Sequence, residues 1–279
     1  MIPATFDYEV AESPEHAIAL LGEREDARLL AGGHSLLPAM KVRLARPSLL
    51  IDIGRLHELS YVRDGGEHVA IGALTRHRDV RDAELLREHC PIVAFAAGQI
   101  GDPQVRHRGT IGGTLAHGDP ASDLHAVILA LDAELVVRGD VGERTIPAAE
   151  FFRGVFQTAL EPAEILVEVR VPKLQGAGWS YLKMSRRAQD WATVGVAALV
   201  ERTNGSLGRV SIGLTNMGAT PLRARAAEEA LQGGAAIADA AAFIPETTDP
   251  SSDNAASAEF RRHLAQVLGR RALEEAVAR

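Results

Sequence analysis

Two short segments place glycines and hydroxyls side by side where helices begin. The first is Ala31-Gly32-Gly33-His34-Ser35-Leu36, and the second is Gly109-Thr110-Ile111-Gly112-Gly113-Thr114. Glycine lets the backbone approach an anion closely. A helix start offers free N–H groups and the positive end of the helix dipole. Ser35, Thr110 and Thr114 add hydroxyls, and Pro38 falls in a first turn, where its missing N–H does no harm. This is the chemistry of a phosphate cradle, although a tight strand-to-helix turn explains the first segment alone equally well. Two such loops suit a ligand with two phosphates. Neither G-x-G-x-x-G nor G-x4-G-K-[ST] occurs, so nicotinamide Rossmann and P-loop readings lose support.

Other reactive types give weaker signals. Asp123 could accept hydrogen bonds from ligand hydroxyls, or could simply be a first-turn acid favoured by the dipole. His107, His117 and His125 match no zinc spacing, so they read as surface or loop histidines and no metal site is expected. There is no G-x-S-x-G elbow. The single cysteine, Cys90, lies in an apolar run and reads as an inert buried thiol. Arg186-Arg187 reads as a solvated face that could meet a partner.

The elements that must hold these residues follow from hydropathy and punctuation. Ser13-Pro14 opens a helix ending near Gly22, and Arg28 to Ala31 is a short strand. A helix follows from Leu36 to about Leu44, then a buried strand over Leu49 to Ile53, completing a β-α-β unit. A second unit has a strand at His68 to Ala73 and helices near His77 to Glu88 and Pro91 to Ile100. Gly101 to Pro120 reads as a long functional loop. Ser122 caps a helix over Asp123 to Leu131. A hairpin joins Ala133–Arg138 to Arg144–Ile146, and a strand covers Glu164 to Val171. Beyond a linker at Lys173 to Gly178, strands are expected at Trp179–Arg186, Thr193–Arg202 and Gly208–Thr215, with a hairpin turn at Asn204-Gly205. Helices then cover Leu222–Gln232, Ala235–Phe243 and Ala258 to the end.

Composition bounds the function. The chain has 279 residues and a net charge of -7, which argues against a nucleic-acid binder. One cysteine cannot supply a disulfide framework or a four-cysteine iron-sulfur cluster. No apolar run is long enough to span a membrane, and the N-terminus lacks a signal-peptide pattern, so a cytoplasmic protein is expected.

Taken together, these stretches resemble the FAD-binding medium subunits of molybdenum hydroxylases, of the aerobic carbon monoxide dehydrogenase type. The resemblance rests on AGGHSLLPAMKVRLARPSLLIDI (31–53), GDPQVRHRGTIGGTLAHGDPASDLHAVILALDAEL (101–135), PAEILVEVRVP (162–172) and YLKMSRRAQDWATVGVAALV (181–200). It extends over essentially the whole chain. It implies an α+β fold in which residues 1–172 form a two-subdomain FAD-binding fold of the vanillyl-alcohol-oxidase (PCMH) type, with subdomains of about 1–56 and 57–172. Residues 178–279 would form the C-terminal domain, a three-stranded antiparallel sheet with helices.

The resemblance also implies a role. FAD would bind non-covalently, its pyrophosphate held by Ala31, Gly32, Gly33, His34, Ser35 and Leu36 and by Thr110, Ile111, Gly112, Gly113 and Thr114. Asp123 would lie near the ribityl and ribose hydroxyls. Leu166 and Lys183 would line the flavin, with Lys183 favouring its anionic reduced form. The chain would relay electrons from [2Fe–2S] clusters on a small subunit, after oxidation at a molybdenum cofactor on a large subunit, to an external acceptor. The flavin carries that chemistry, so no catalytic acid, base or nucleophile is expected here. A dimer of heterotrimers is implied, with peripheral membrane contact through the acceptor an open alternative. His117-Gly118 departs from the Ala or Asn often found there in the family. Gly-Gly-His-Ser also occurs in oxidases that bond FAD covalently through that histidine, so a self-sufficient oxidase linked at His34 is the competing reading. A flavin-less scaffold is the third.

Overall fold

The computed structural model describes residues 2–203 and 206–279. The chain starts with β1 (Asp7–Val10), α1 (Pro14–Glu23), β2 (Arg28–Leu30), α2 (Leu36–Lys41) and β3 (Leu49–Asp52). The three strands form a parallel sheet in the order β1-β3-β2. Ser13 caps α1 by accepting from the His16 N–H at 3.1 Å, and Pro14 occupies the first helical position, as the sequence predicts. The helix buries Ala17, Ile18, Leu20 and Leu21. The strand at β1 had no sequence signal, because its four residues are largely exposed and carry no alternation.

Next come β4 (Val62–Asp64), β5 (His68–Gly72), α3 (His77–Asp82), α4 (Glu84–His89) and α5 (Pro91–Gly98). The predicted helix over His77 to Glu88 is thus two helices, broken at Ala83, whose backbone is extended. The stretch read as a long loop carries α6 (Pro103–Arg108) and α7 (Ile111–His117). Each has its own cap: Asp102 accepts from the Val105 N–H at 2.9 Å, and Thr110 from the Gly113 N–H at 3.1 Å. Helices of six or seven residues are too short to show an apolar period, so only the caps announce them.

Then follow α8 (Asp123–Ala130), β6 (Glu134–Gly139), β7 (Gly142–Pro147), α9 (Ala148–Phe151), β8 (Phe152–Gly154), β9 (Gln157–Thr158) and β10 (Ile165–Pro172). Strands β4-β5-β10-β6-β7 make a five-stranded antiparallel sheet, and β8 pairs with β9. Ser122 stands at the N-cap of α8 but its hydroxyl makes no cap bond, contrary to the predicted cap. Every residue of α8 is buried. Six of its eight residues are apolar, as suits a helix inside a core.

The remainder comprises β11 (Gly178–Met184), β12 (Val194–Thr203), β13 (Ser206–Thr215), β14 (Leu222–Arg223), α10 (Arg225–Gln232), α11 (Ile237–Ala240) and α12 (Ala258–Ala278). The three expected strands pair in sequence, and the two residues at Leu222 add a fourth to the sheet where a helix start was predicted. The predicted turn at Asn204-Gly205 lies outside the described residues. The core of this sheet is filled by α10 and α12. Glycine at 213 is required, because a Cβ there would collide with the Ala126 carbonyl oxygen of α8.

Candidate functional site

A cleft of about 670 Å³ opens between the parallel three-stranded unit, the α6–α7 segment and the loop after β11. Both glycine segments line it. The close approach is specific to glycine: a Cβ at Gly32 would collide with the Arg108 carbonyl oxygen, so the two segments touch through bare backbone. Gly112 seats α7 on the end of β5, where a Cβ would come within 2.5 Å of the Ala73 Cβ. Gly33 has φ +78°, a left-handed conformation open to glycine.

The two segments differ in what they offer. The N–H groups of Gly32, Gly33, His34 and Ser35 have no acceptor among the described residues. They form a nest of consecutive free donors facing the cleft. In the second segment every backbone donor but that of Thr110 is already used. Ile111 N–H donates to Thr75 O at 3.0 Å, Gly112 N–H to Ala73 O at 2.8 Å, and Thr114 N–H to Thr110 O at 3.0 Å. Gly113 N–H goes to Thr110 Oγ1. Sequence alone assigned both segments the same chemistry. The first supplies four amides, and the second supplies the Thr110 amide, hydroxyls and a close-fitting wall.

Of the remaining expected site residues, Asp123 and Leu166 line the cleft, as do His34 and Leu36. Leu166 stands beside a register shift in the β10–β6 pairing. Ile111 does not line the cleft; it is fully buried in the core behind it. Lys183 does not line it either. Its ammonium donates to Asp123 Oδ2 at 3.0 Å and to Gln99 O at 3.2 Å, and its side chain is 6% exposed. Tyr181 donates to Asp123 Oδ1 at 2.6 Å. Burial pushes the Asp123 carboxyl above the ordinary carboxylate range, opposed by the Lys183 ammonium and the Tyr181 hydroxyl. Asp123 therefore ties α8 to β11 at the edge of the cleft as well as facing it.

Several residues at the site escaped the sequence reading. Tyr181 lies two positions from Lys183 on one strand, so strand alternation could have paired them. His77 lines the cleft at the start of α3 and is fully buried, and nothing in its local sequence distinguishes it from a surface histidine. His125 is likewise buried rather than at the surface, and burial pushes its pKa down to about 4. His117 is half-buried against Phe156, with ring centroids 4.9 Å apart. Cys90 is buried, and burial pushes its thiol up to about 12, in keeping with an inert role. Arg186 and Arg187 are both exposed.

The family described as "FAD binding domain in molybdopterin dehydrogenase" matches residues 4–174, and "CO dehydrogenase flavoprotein C-terminal domain" matches residues 179–276. The class of protein is thereby defined: a flavoprotein with an FAD-binding domain and the C-terminal domain of such subunits. The chain belongs to the family of FAD-binding medium subunits of molybdenum hydroxylases. It is 44% identical to the carbon monoxide dehydrogenase medium chain of Hydrogenophaga pseudoflava, over 100% of this chain and 99% of that protein. It is 40% identical to the 6-hydroxypseudooxynicotine dehydrogenase complex subunit alpha of Paenarthrobacter nicotinovorans, over 100% and 97% of the two chains. A solved structure of the Hydrogenophaga pseudoflava carbon monoxide dehydrogenase superposes with a TM-score of 0.97, at 44% identity, over 100% of this chain and 99% of that one.

Proposed function

We propose that this chain is the FAD-carrying electron-relay subunit of a molybdenum hydroxylase of the carbon monoxide dehydrogenase type. The observation that carries the reading is the nest at residues 32–35. Four consecutive free amides face a cleft large enough for a dinucleotide, against a second glycine wall. The fit to a pyrophosphate is chemical: consecutive N–H groups with no protein acceptor, at residues lining the cleft, suit an anion. Ala31, Gly32, Gly33, His34, Ser35 and Leu36 would hold one side of the pyrophosphate, and Thr110, Gly112, Gly113 and Thr114 the other. Ile111 would act only by anchoring the second wall. Asp123 would accept from ligand hydroxyls, and Leu166 would bound the flavin end.

Bound FAD supplies reversible two-electron storage. The chain's own residues position it and exclude water. Lys183 contributes as part of a buried ion pair, so its field on the cleft is damped by Asp123. The two matched families, over residues 4–174 and 179–276, support a division into an FAD domain of 1–172 and a C-terminal domain of 178–279, and the separate three-stranded and five-stranded sheets favour subdomains of about 1–56 and 57–172. Partner subunits, one with [2Fe–2S] clusters and one with the molybdenum cofactor, would feed and oxidise substrate in a dimer of heterotrimers. Relatives are named for carbon monoxide and for 6-hydroxypseudooxynicotine, so the substrate follows the large subunit rather than this one.

The test is the visible spectrum of the purified chain after FAD loading, repeated on the supernatant of an acid precipitation. A flavin spectrum that moves to the supernatant, with no oxidation of carbon monoxide by the chain alone, is the expected result. Colour retained in the pellet would point to a covalent link at His34 and an independent oxidase. No flavin uptake, even with partner subunits present, would overturn the cofactor assignment.

A further inference from the structure

Thr114 lies on the cleft wall, and two buried imidazoles converge on it. His77, at the start of α3, is 1% exposed, and its Nε2 lies 2.9 Å from Thr114 Oγ1. His125, on α8, places Nε2 3.1 Å from the Thr114 carbonyl oxygen. Neither ring's Nδ1 has a partner among the described residues.

The unpartnered nitrogens decide the tautomers. A carbonyl can only accept, so His125 carries its proton on Nε2. For His77, a proton on Nδ1 would leave a buried N–H with no acceptor, whereas a proton on Nε2 leaves only a bare lone pair. Orphaned buried N–H groups are the rarer defect. His77 Nε2–H therefore donates to Thr114 Oγ1. The Thr114 hydroxyl hydrogen then has no acceptor among the described residues, and its open side is the cleft. The opposite arrangement would spend that hydrogen on the ring and turn only lone pairs toward the ligand.

The ring packs closely against Gly109. Its backbone N–H donates to Gly109 O at 3.0 Å, and a Cβ at Gly109 would come within 2.8 Å of His77 Cδ2. Burial, with Arg106 and Arg76 nearby, pushes the His77 pKa down to about 3, so the ring stays a neutral donor near neutrality.

The geometry points to His77 as a positioning residue for the cofactor: by occupying one lone pair of Thr114 Oγ1 it commits the Thr114 hydroxyl to donate into the cleft, toward an oxygen of bound FAD. The inference rests on the FAD reading above. It adds a side-chain donor to the second glycine wall, whose amides at 111–114 are already used.

FAD affinity of the full chain tests it by fluorescence titration, in the wild type, His77→Leu, His77→Gln, Thr114→Val and the Leu/Val double variant. The Gln side-chain amide reaches the Nε2 position and keeps a donor there. Removing a hydrogen bond to a charged group weakens binding roughly ten-fold or more. His77→Leu and Thr114→Val should each show that loss, Gln should restore most of it, and the double variant should be no weaker than Thr114→Val alone. A purely structural role for His77 predicts instead that its loss adds fully to that of Thr114→Val, which would overturn the inference. Should His77→Leu not fold, His77→Asn replaces it: Asn reaches Nδ1 rather than Nε2, so it should lose affinity where Gln keeps it, and equal affinities would overturn the inference. Failure of the wild type to bind FAD even with partner subunits would overturn the cofactor reading and this inference together. Wild-type binding with additive losses would overturn this inference alone.

Discussion

Gly33 shows how one residue can carry both conformation and binding. Its φ of +78° strains any residue with a Cβ, and that Cβ would come within 2.9 Å of Leu37 Cδ1. The left-handed conformation destabilises a non-glycine residue by about 1–2 kcal/mol. Gly33→Ala should therefore weaken FAD binding modestly, while Gly33→Asp, which also sets an anion against the pyrophosphate, should abolish it. The flavin-to-protein absorbance ratio of the two variants reads this out. Full occupancy in Gly33→Asp would remove residues 32–35 from the site. The same scale explains what the glycine pattern could not reveal. Both segments have paired glycines and hydroxyls, yet one leaves four consecutive amides free and the other only that of Thr110. Only the backbone partners, Thr75 O and Ala73 O, make the difference.

At the scale of elements, the decisive contact is between α8 and β11. Asp123 opens the helix, and Tyr181 and Lys183 reach it from one face of the strand. Both charges are nearly out of solvent. Removing one member of a buried pair leaves the other uncompensated, at a loss of roughly 3–5 kcal/mol. Lys183→Met should lower the urea midpoint accordingly, and adding Asp123→Asn should recover much of the loss. If Lys183→Met unfolds at the wild-type midpoint, the pair is not what joins these elements. The helices inside 101–120 belong to this scale as well. Their caps were present in the sequence as Asp-Pro and as Thr before Ile-Gly-Gly, but a glycine-rich stretch with no apolar period gave no reason to weigh those caps above a loop. Tertiary contact supplied the rest, since α7 rests its glycine face on β5.

For the whole molecule, two fully buried neutral histidines link stability to pH. Burial lowers the folded-state pKa to about 3 for His77 and about 4 for His125, against an ordinary value of 6.5. Between those values the unfolded chain binds protons that the folded chain does not, so stability is complete above about pH 6.5 and falls as the pH drops. Each histidine contributes a slope of about 1.4 kcal/mol per pH unit in that window. Denaturation midpoints from pH 7 to 4.5 should show the decline, and His125→Gln should make it shallower. An unchanged slope in that variant would mean that His125 is protonated in the folded protein. The same large-scale view bounds what the chain contributes to its complex. Among the described residues no helix is long and apolar enough to cross a membrane, and no cluster of three or more metal-ligating side chains occurs. The matched FAD-binding family makes the flavin the redox group of this subunit.

Local pattern by itself determined the longer strands and helices, three strands of the antiparallel sheet near the C-terminus and the two glycine segments that line the cleft. Those features depend on periodicity, caps and backbone freedom, all of which are carried by neighbours in the chain. The resemblance between the quoted stretches and a known family supplied the cofactor. Tertiary structure alone decided which amides stay free, that Lys183 is spent on Asp123, that Ile111 faces the core, and that His77 and His125 converge on Thr114. Each of these depends on groups far apart in sequence, such as Thr114 and His77, or Asp123 and Lys183. A hydrogen bond or ion pair depends on where its partner lies in space, and that position is set by packing rather than by local sequence.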